Sequence, residues 1–322
     1  YGSSFLWRKM CKENGVRFSS FESDPGTTLI SPDGAAAHRG DVEAKFQDFL
    51  SLEPLAKDSL FKTAEKFVFN DIYKRSTQNT TNIDSTWLRT EYKTFDLEME
   101  DFKRNLWTSV GSSSPLDLPT VFLNISWDCA ALDLKPIELS HMQWFIGLLN
   151  ELISQGASNI VVRQHPDERF YPSKDEYEQV INRFLEDYKG LKIRFYSASD
   201  DVNSYELIRK ATSVFTYTST IGLEAVILKR PVFCAKENYQ TRSRALHNYK
   251  PEETVKDLKQ EVPVTDEMYA NAVVCYYLGQ IGAFIKFGIS EIDYLLHDKG
   301  FNLKLDIISE QLIENRWSFS DV

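Results

Sequence analysis

From residue 120 onward the apolar and polar positions follow two alternating rhythms. Short runs rich in Val, Ile and Phe at 120–126 (TVFLNIS), 159–163 (NIVVR), 191–196, 213–216 and 231–234 predict strands. Between them, 140–155, 174–188, 205–211 and 220–228 carry helical spacing. Apolar strands separated by helices predict a parallel, doubly wound sheet covered on both faces.

The first third is less regular. A short helical pattern at 5–14 precedes a strand at 16–21 and a turn-rich Ser31-Pro32-Asp33-Gly34. Residues 43–76 are helical by period, with Phe46, Phe49, Leu50, Leu60, Phe61, Ala64, Phe67 and Val68 on the apolar face. Residues 77–119 are polar, and the stretch from Gly111 to Asp117 reads as a linker. Residues 255–322 are expected to be mostly helical.

Composition narrows the partners. The net charge is −10, which disfavours sequence-independent binding to duplex nucleic acid, since that rests on phosphate neutralisation. Cys11, Cys129, Cys234 and Cys275 lie far apart without CxxC spacing, so no zinc or redox site is suggested and reduced, buried thiols are expected. Residues 270–287 come nearest to a membrane span but are interrupted by Asn271, Gln280 and Lys286. The expected location is the cytoplasm, with docking at the inner face of the membrane left open. The chain has 322 residues and opens on Tyr1, so the first segment is expected to be the late part of an α/β domain whose opening strands are absent.

In a parallel sheet, ligands bind outside the carboxyl ends of the strands. Those positions hold Ser126-Trp127-Asp128, Gln164-His165-Pro166-Asp167-Glu168, 199–204 and 217–224. In the last, Ser219 is a natural N-cap, and Thr218, Ser219 and Thr220 offer hydroxyls beside amides expected to be unpaired, a setting for phosphate. Gly222 lets a ligand or a strand approach closely. Glu224, one turn in, can accept from two ribose hydroxyls or can form a capping-box contact with no ligand. Pro166 holds His165 extended at a strand end, where the imidazole can bind a phosphate or assist its departure; a surface histidine ending a strand is the alternative. Asp128 is a candidate to stabilise or attack an oxocarbenium-like centre, or else a turn aspartate. Weaker candidates are the loop residues Asp33, His38, Arg39 and Asp41. Lys236, Arg242 and Arg244 can meet an anionic sugar or a diphosphate, with a surface role the alternative.

The segments ISWD (125–128), VVRQHPDE (161–168), SDDVNSYELIRKA (199–211) and YTSTIGLEAVILKRPVF (217–233) together resemble the bacterial capsule polysaccharide biosynthesis proteins, a family that includes the Kdo transferases of capsule and lipopolysaccharide assembly. The likeness spans roughly 120–235. It implies a GT-B-like α/β fold, two Rossmann-type domains facing across a cleft, the N-terminal one incomplete in this sequence. The implied division is an acceptor-side domain at 1–112, a nucleotide-sugar domain at 113–255, and C-terminal helices at 256–322 packing back across both. It implies a CMP-Kdo donor, a glycan or glycolipid acceptor, and no metal or other cofactor. His165, Pro166, Ser219 and Thr220 would meet the CMP phosphate, Glu224 the ribose, and Asp128 would be the nucleophile of a retaining transferase. Two alternatives stay open: another donor (a UDP- or GDP-sugar, or a CDP-polyol), or a non-catalytic nucleotide-binding module of an assembly complex.

Overall fold

The computed structural model describes residues 10–11, 13–16, 20–24, 27–31, 40–77, 114–125, 140–170, 176–235, 237–248, 263–282 and 285–288. The expected helix at 5–14 lies mostly outside them, as do the first three residues of the linker and the candidates Asp33, His38, Arg39, Trp127, Asp128, Cys129 and Lys236. Of Asp41 only the backbone is described.

A six-stranded parallel sheet forms the centre. Its strands are β3 (Pro119–Phe122), β4 (Asn159–Arg163), β5 (Lys192–Tyr196), β6 (Ser213–Thr216), β7 (Val232–Cys234) and β8 (His247–Asn248). They run in the order β5-β4-β3-β6-β7-β8. The chain winds outward from β3 in one direction, returns, and winds outward in the other. β3 and β6 are therefore the neighbours at which the winding reverses, and the crevice at their carboxyl ends is where this topology binds ligands.

Alternate residues of each strand feed two different cores, as a period of two requires. Val121, Leu123, Ile160, Val162, Phe215 and Phe233 pack with Trp144, Phe145 and Leu148 of α3 (His141–Ser154) and with Tyr177 and Ile181 of α4 (Tyr177–Asp187). Phe122, Val161, Val214, Val232 and Cys234 face the other way. There they meet α5 (Ser204–Lys210), α6 (Ile221–Ile227) and α8 (Asp266–Tyr277). Ser140 starts α3 with a capping box: its hydroxyl takes the Gln143 N–H and the Gln143 side chain takes the Ser140 N–H. The short α7 (Tyr239–Arg242) is capped the same way by Asn238 and Thr241.

The helical stretch expected at 43–76 is two helices, α1 (Gly40–Leu50) and α2 (Pro54–Thr77). Pro54 lacks an N–H and suits the first position of the second helix. Both helices share the second core. Val42, Phe46, Phe49, Ala64, Val68, Phe69 and Ile72 belong to the same buried cluster as α6 and α8. Their apolar faces are thus covered by the sheet-bearing half of the chain.

The carboxyl-terminal region is not helical throughout. After α8 and a π-turn at Leu278–Gly282 comes β9 (Ile285–Gly288). It pairs antiparallel with β2 (Thr27–Ser31), which pairs antiparallel with β1 (Ser20–Asp24). This small sheet joins the two ends of the chain by backbone hydrogen bonds. Helical spacing upstream masked the strand, because a four-residue edge strand has too few positions to show its own period.

Candidate functional site

β3 and β4 are paired through Phe122 and Arg163, and β3 and β6 through Phe122 and Thr216. The three strands therefore end level. His165 follows β4 by two residues and Ser219 follows β6 by three. With neighbouring strands about 4.8 Å apart, β4 and β6 lie about 10 Å apart across β3. Both loops rise from the same rim, as one phosphate-sized site requires.

The reversal point itself is laced together. Asn124, just past β3, donates from Nδ2 to Thr218 Oγ1 at 2.8 Å, and the Thr218 N–H donates to Asn124 Oδ1 at 3.3 Å. The Asn124 N–H donates to His141 Nε2 at 3.3 Å. Thr218, Ser219 and Thr220 are all half-buried. Tyr217 is buried, and burial pushes its phenol up to about 12, so it stays protonated.

His165 adopts φ −62 and ψ 131, the extended geometry that Pro166 imposes on its predecessor. Its Nδ1 accepts the Asp167 N–H at 3.2 Å and lies 3.8 Å from Asp167 Oδ2. With Nδ1 accepting, the proton of the neutral ring sits on Nε2, which is then the donating nitrogen. The ring is 31% exposed. Beneath it, Arg163 is buried and ties the β5–α5 loop down through the carbonyls of Ser197 and of Asp200, the latter at 3.3 Å. Gln164 adds a bond from the Ala198 N–H at 3.0 Å. Burial lowers the Arg163 pKa, opposed mainly by Asp200.

Two local expectations change, and a third, at Gly222, resolves to one of its alternatives. The N-cap of α6 is Thr220, not Ser219; Thr220 is in the αR region and makes no side-chain cap bond. The amides of Ile221, Gly222 and Leu223 are engaged within the turn, by Ser219 Oγ at 3.5 Å, Ser219 O at 3.1 Å and Thr220 O at 3.0 Å. An anion here would rely on side chains more than on those amides. Gly222 serves packing: a Cβ would lie 3.0 Å from Leu246 Cδ1, 3.3 Å from Thr216 Oγ1 and 3.4 Å from Val232 Cγ1. The strands press on this helix, so close approach is by protein.

Glu224 is turned inward. It is 4% exposed and faces Arg75 Nη1 of α2 at 3.4 Å, with the Tyr205 and Tyr276 side chains beside it. Arg75 also meets Asp71 Oδ2 at 3.0 Å, and the Tyr276 hydroxyl donates to that oxygen at 2.6 Å. Burial raises the Glu224 pKa; Arg75 and the tyrosine hydroxyls oppose it. In this conformation its carboxylate partners are protein groups. A capping-box role is ruled out, because the third residue of α6 is Leu223.

Among the basic candidates, Arg242 is clamped by Glu43 of α1 through two bonds of 2.7 Å. Arg244 is 83% exposed and 3.8 Å from Glu267. Cys234 and Cys275 are buried, and burial pushes the Cys275 thiol up to about 12. A hollow of about 540 Å³ lined by Ser114, Asp117, Gln155 and Ser158 lies at the amino ends of β3 and β4, on the opposite rim.

Residues 139–241 match the family model for the capsule polysaccharide biosynthesis proteins. The matched segment runs from the start of α3 into α7 and includes both the His165 and the Ser219 loops. Among solved structures, the chain is similar to a Thermosulfurimonas dismutans KpsC beta Kdo 2,7 transferase, at 14% identity and TM-score 0.44, covering 92% of this chain and 83% of that one. It is also similar to the T. dismutans KpsC beta Kdo 2,4 transferase, at 12% identity and TM-score 0.44, covering 82% and 74%. No curated protein matches the chain.

Sequence reasoning missed Asn124, His141 and Arg75. Asn124 sits at the end of a strand run and His141 at the first position of a helix, and neither carries a local signal. Arg75 lies in a helix 149 residues from its partner.

Proposed function

We propose that the chain is a glycosyltransferase of surface polysaccharide synthesis that takes CMP-Kdo as donor and a glycan or glycolipid as acceptor, with retention. The observation that carries the reading is the shared rim: His165 and the Thr218–Ser219–Thr220 hydroxyls flank the point where the sheet reverses, inside the matched segment. In this reading the donor phosphate is held by the hydroxyls of Ser219 and Thr220 and by Nε2–H of His165. Donors aimed at the leaving phosphate stabilise the charge that grows as it departs.

Two displacements give retention. The Asp128 carboxylate attacks the anomeric carbon, the bond from that carbon to the phosphate oxygen breaks, and CMP leaves with the electron pair. An acceptor hydroxyl then attacks the same carbon, the carboxylate departs, and the hydroxyl proton passes to water. A second Rossmann-type domain would face this rim across a cleft and receive the acceptor. No helix among the described residues is long and apolar enough to cross a membrane. A lipid-linked acceptor would be met at the membrane's inner face.

The test is transfer from CMP-Kdo together with nucleotide binding. CMP should raise the melting temperature while UDP and GDP do not, since a ligand that binds only the folded state stabilises it by mass action. Transfer should survive EDTA. His165→Ala and Asp128→Asn should each reduce kcat at least about a hundredfold. Full transfer by both variants overturns the assignment. Protection by UDP or GDP alone overturns the donor, and CMP binding without turnover points to a non-catalytic module.

A further inference from the structure

A relay of hydrogen bonds runs toward the Ser219 loop from a residue with no part in the chemistry above. His141 is the first residue of α3, placed there by the Ser140 capping box. Its ring is boxed by aromatics. It stacks on Trp144 with centroids 5.4 Å apart and planes 12° apart, meets the edge of Tyr177 at 5.8 Å, and tilts against Tyr217 at 5.0 Å. Both ring nitrogens are engaged. Nε2 accepts the Asn124 N–H at 3.3 Å, so in the neutral ring the proton is on Nδ1, and Nδ1–H donates to the Tyr177 hydroxyl oxygen at 2.6 Å.

The next link leaves from the same residue. Asn124 uses its side chain to grip Thr218 at two points, Oγ1 and the backbone N–H. Thr218 directly precedes Ser219 and Thr220. His141 also packs on Tyr217, the residue before Thr218. One imidazole thus holds both sides of the junction from which the phosphate-binding hydroxyls project.

We propose that His141 is a positioning residue for the nucleotide: through Asn124 it sets where Thr218 lies, and so where the Ser219 and Thr220 hydroxyls meet the phosphate. This inference rests on the proposed nucleotide site. Its physical content is that the acceptor at Nε2, and not merely the aromatic bulk, is required. A phenyl ring fills the box but accepts nothing, leaving the Asn124 N–H without its partner; a glutamine places an amide oxygen near the former Nε2.

The experiment compares His141→Phe, His141→Gln, Thr218→Val and the double variant His141→Phe/Thr218→Val, using CMP titration and steady-state transfer. His141→Phe should weaken CMP binding about tenfold and raise the donor KM in step, with kcat changed less than about threefold. His141→Gln should recover most of the loss. In the Thr218→Val background His141→Phe should cost less than in the wild type, because one of the two bonds through which it acts is already cut. Equal penalties in both backgrounds, or no rescue by glutamine, would overturn the relay.

A ligand-free readout separates this from the donor assignment. The Thr218 amide should exchange its hydrogen about tenfold faster in His141→Phe than in the wild type or His141→Gln. If the wild type binds no nucleotide, the proposed function fails while the exchange result still decides the relay. If His141→Phe does not fold, Asn124→Ala takes its place: it cuts the relay one link later and should produce the same exchange and CMP effects. Unchanged exchange and binding there would equally overturn the relay.

Discussion

Glu224 of α6 and Arg75 of α2 face each other at 3.4 Å in the second core, 149 residues apart in sequence. The Glu224 side chain is 5% exposed and the Arg75 side chain 38%. That inequality makes the pair asymmetric. Arg75→Ala leaves a buried carboxylate with no cation and should destabilise the fold by about 3–5 kcal/mol. Glu224→Gln removes the buried charge while Arg75 keeps Asp71, and should cost about 1 kcal/mol. Denaturant melts of the two variants check the order; a larger loss for Glu224→Gln would contradict it.

The same carboxylate gives stability a pH slope. Burial raises its pKa, so the folded chain binds that proton more tightly than the unfolded chain. The contribution is fully present below the unfolded value of about 4.5 and is lost as pH rises through the folded value. Glu224→Gln should flatten the pH dependence of stability over that window, as melts at a series of pH values would show.

Gly222 has no room for a side chain beyond a methyl group. Leu246, Thr216 and Val232 already lie within 3.4 Å of where a Cβ would stand. Gly222→Ala should stay within about 1 kcal/mol of wild type, because gained helix propensity offsets the crowding. Gly222→Val should lose about 2–3 kcal/mol, since two further methyls meet strand side chains of a packed sheet. Thermal melts separate the two.

Arg163 spans the ends of β4 and β5. A lysine there reaches at most one of the Ser197 and Asp200 carbonyls and leaves the other unpaired. Arg163→Lys should destabilise by about 2 kcal/mol and speed hydrogen exchange over residues 197–203. Unchanged exchange in that loop would mean the guanidinium does not hold it.

The Arg242–Glu43 clamp is exposed at 40% and 35%. Pairs of this kind contribute about 0.2–1 kcal/mol. Arg242→Ala should therefore cost no more than that and leave CMP binding unchanged. A fall in nucleotide affinity would return Arg242 to the anion site.

The central strands were legible to within one or two residues at most of their ends, for a specific reason. NIVVR and SVFT lie under helices on both faces, so nearly every position is buried and the apolar centre of each run stands out from its flanks. The extended backbone of His165 was also legible, because Pro166 dictates it locally. The capping of α6 was misplaced because Ser219 and Thr220 are equally good caps by residue type. Just before them Thr218 is held by Asn124, 94 residues earlier, a contact that residue type at the cap does not reveal. β9 was invisible for a related reason: IKFG becomes a strand by pairing with Thr27–Ile30, and that pairing leaves no trace within the four residues themselves.

The sequence alone determined the rhythm of strands and helices, the parallel sheet that follows from it, and the loops that carry hydroxyls and an imidazole at strand ends. These rest on neighbours in the chain, through periodic burial and proline or cap geometry. Only the tertiary structure decided which polar groups answer one another: Asn124 with Thr218, His141 with Asn124, Glu224 with Arg75. A hydrogen bond or ion pair depends on distances of a few tenths of an ångström between distant segments, and packing sets those distances.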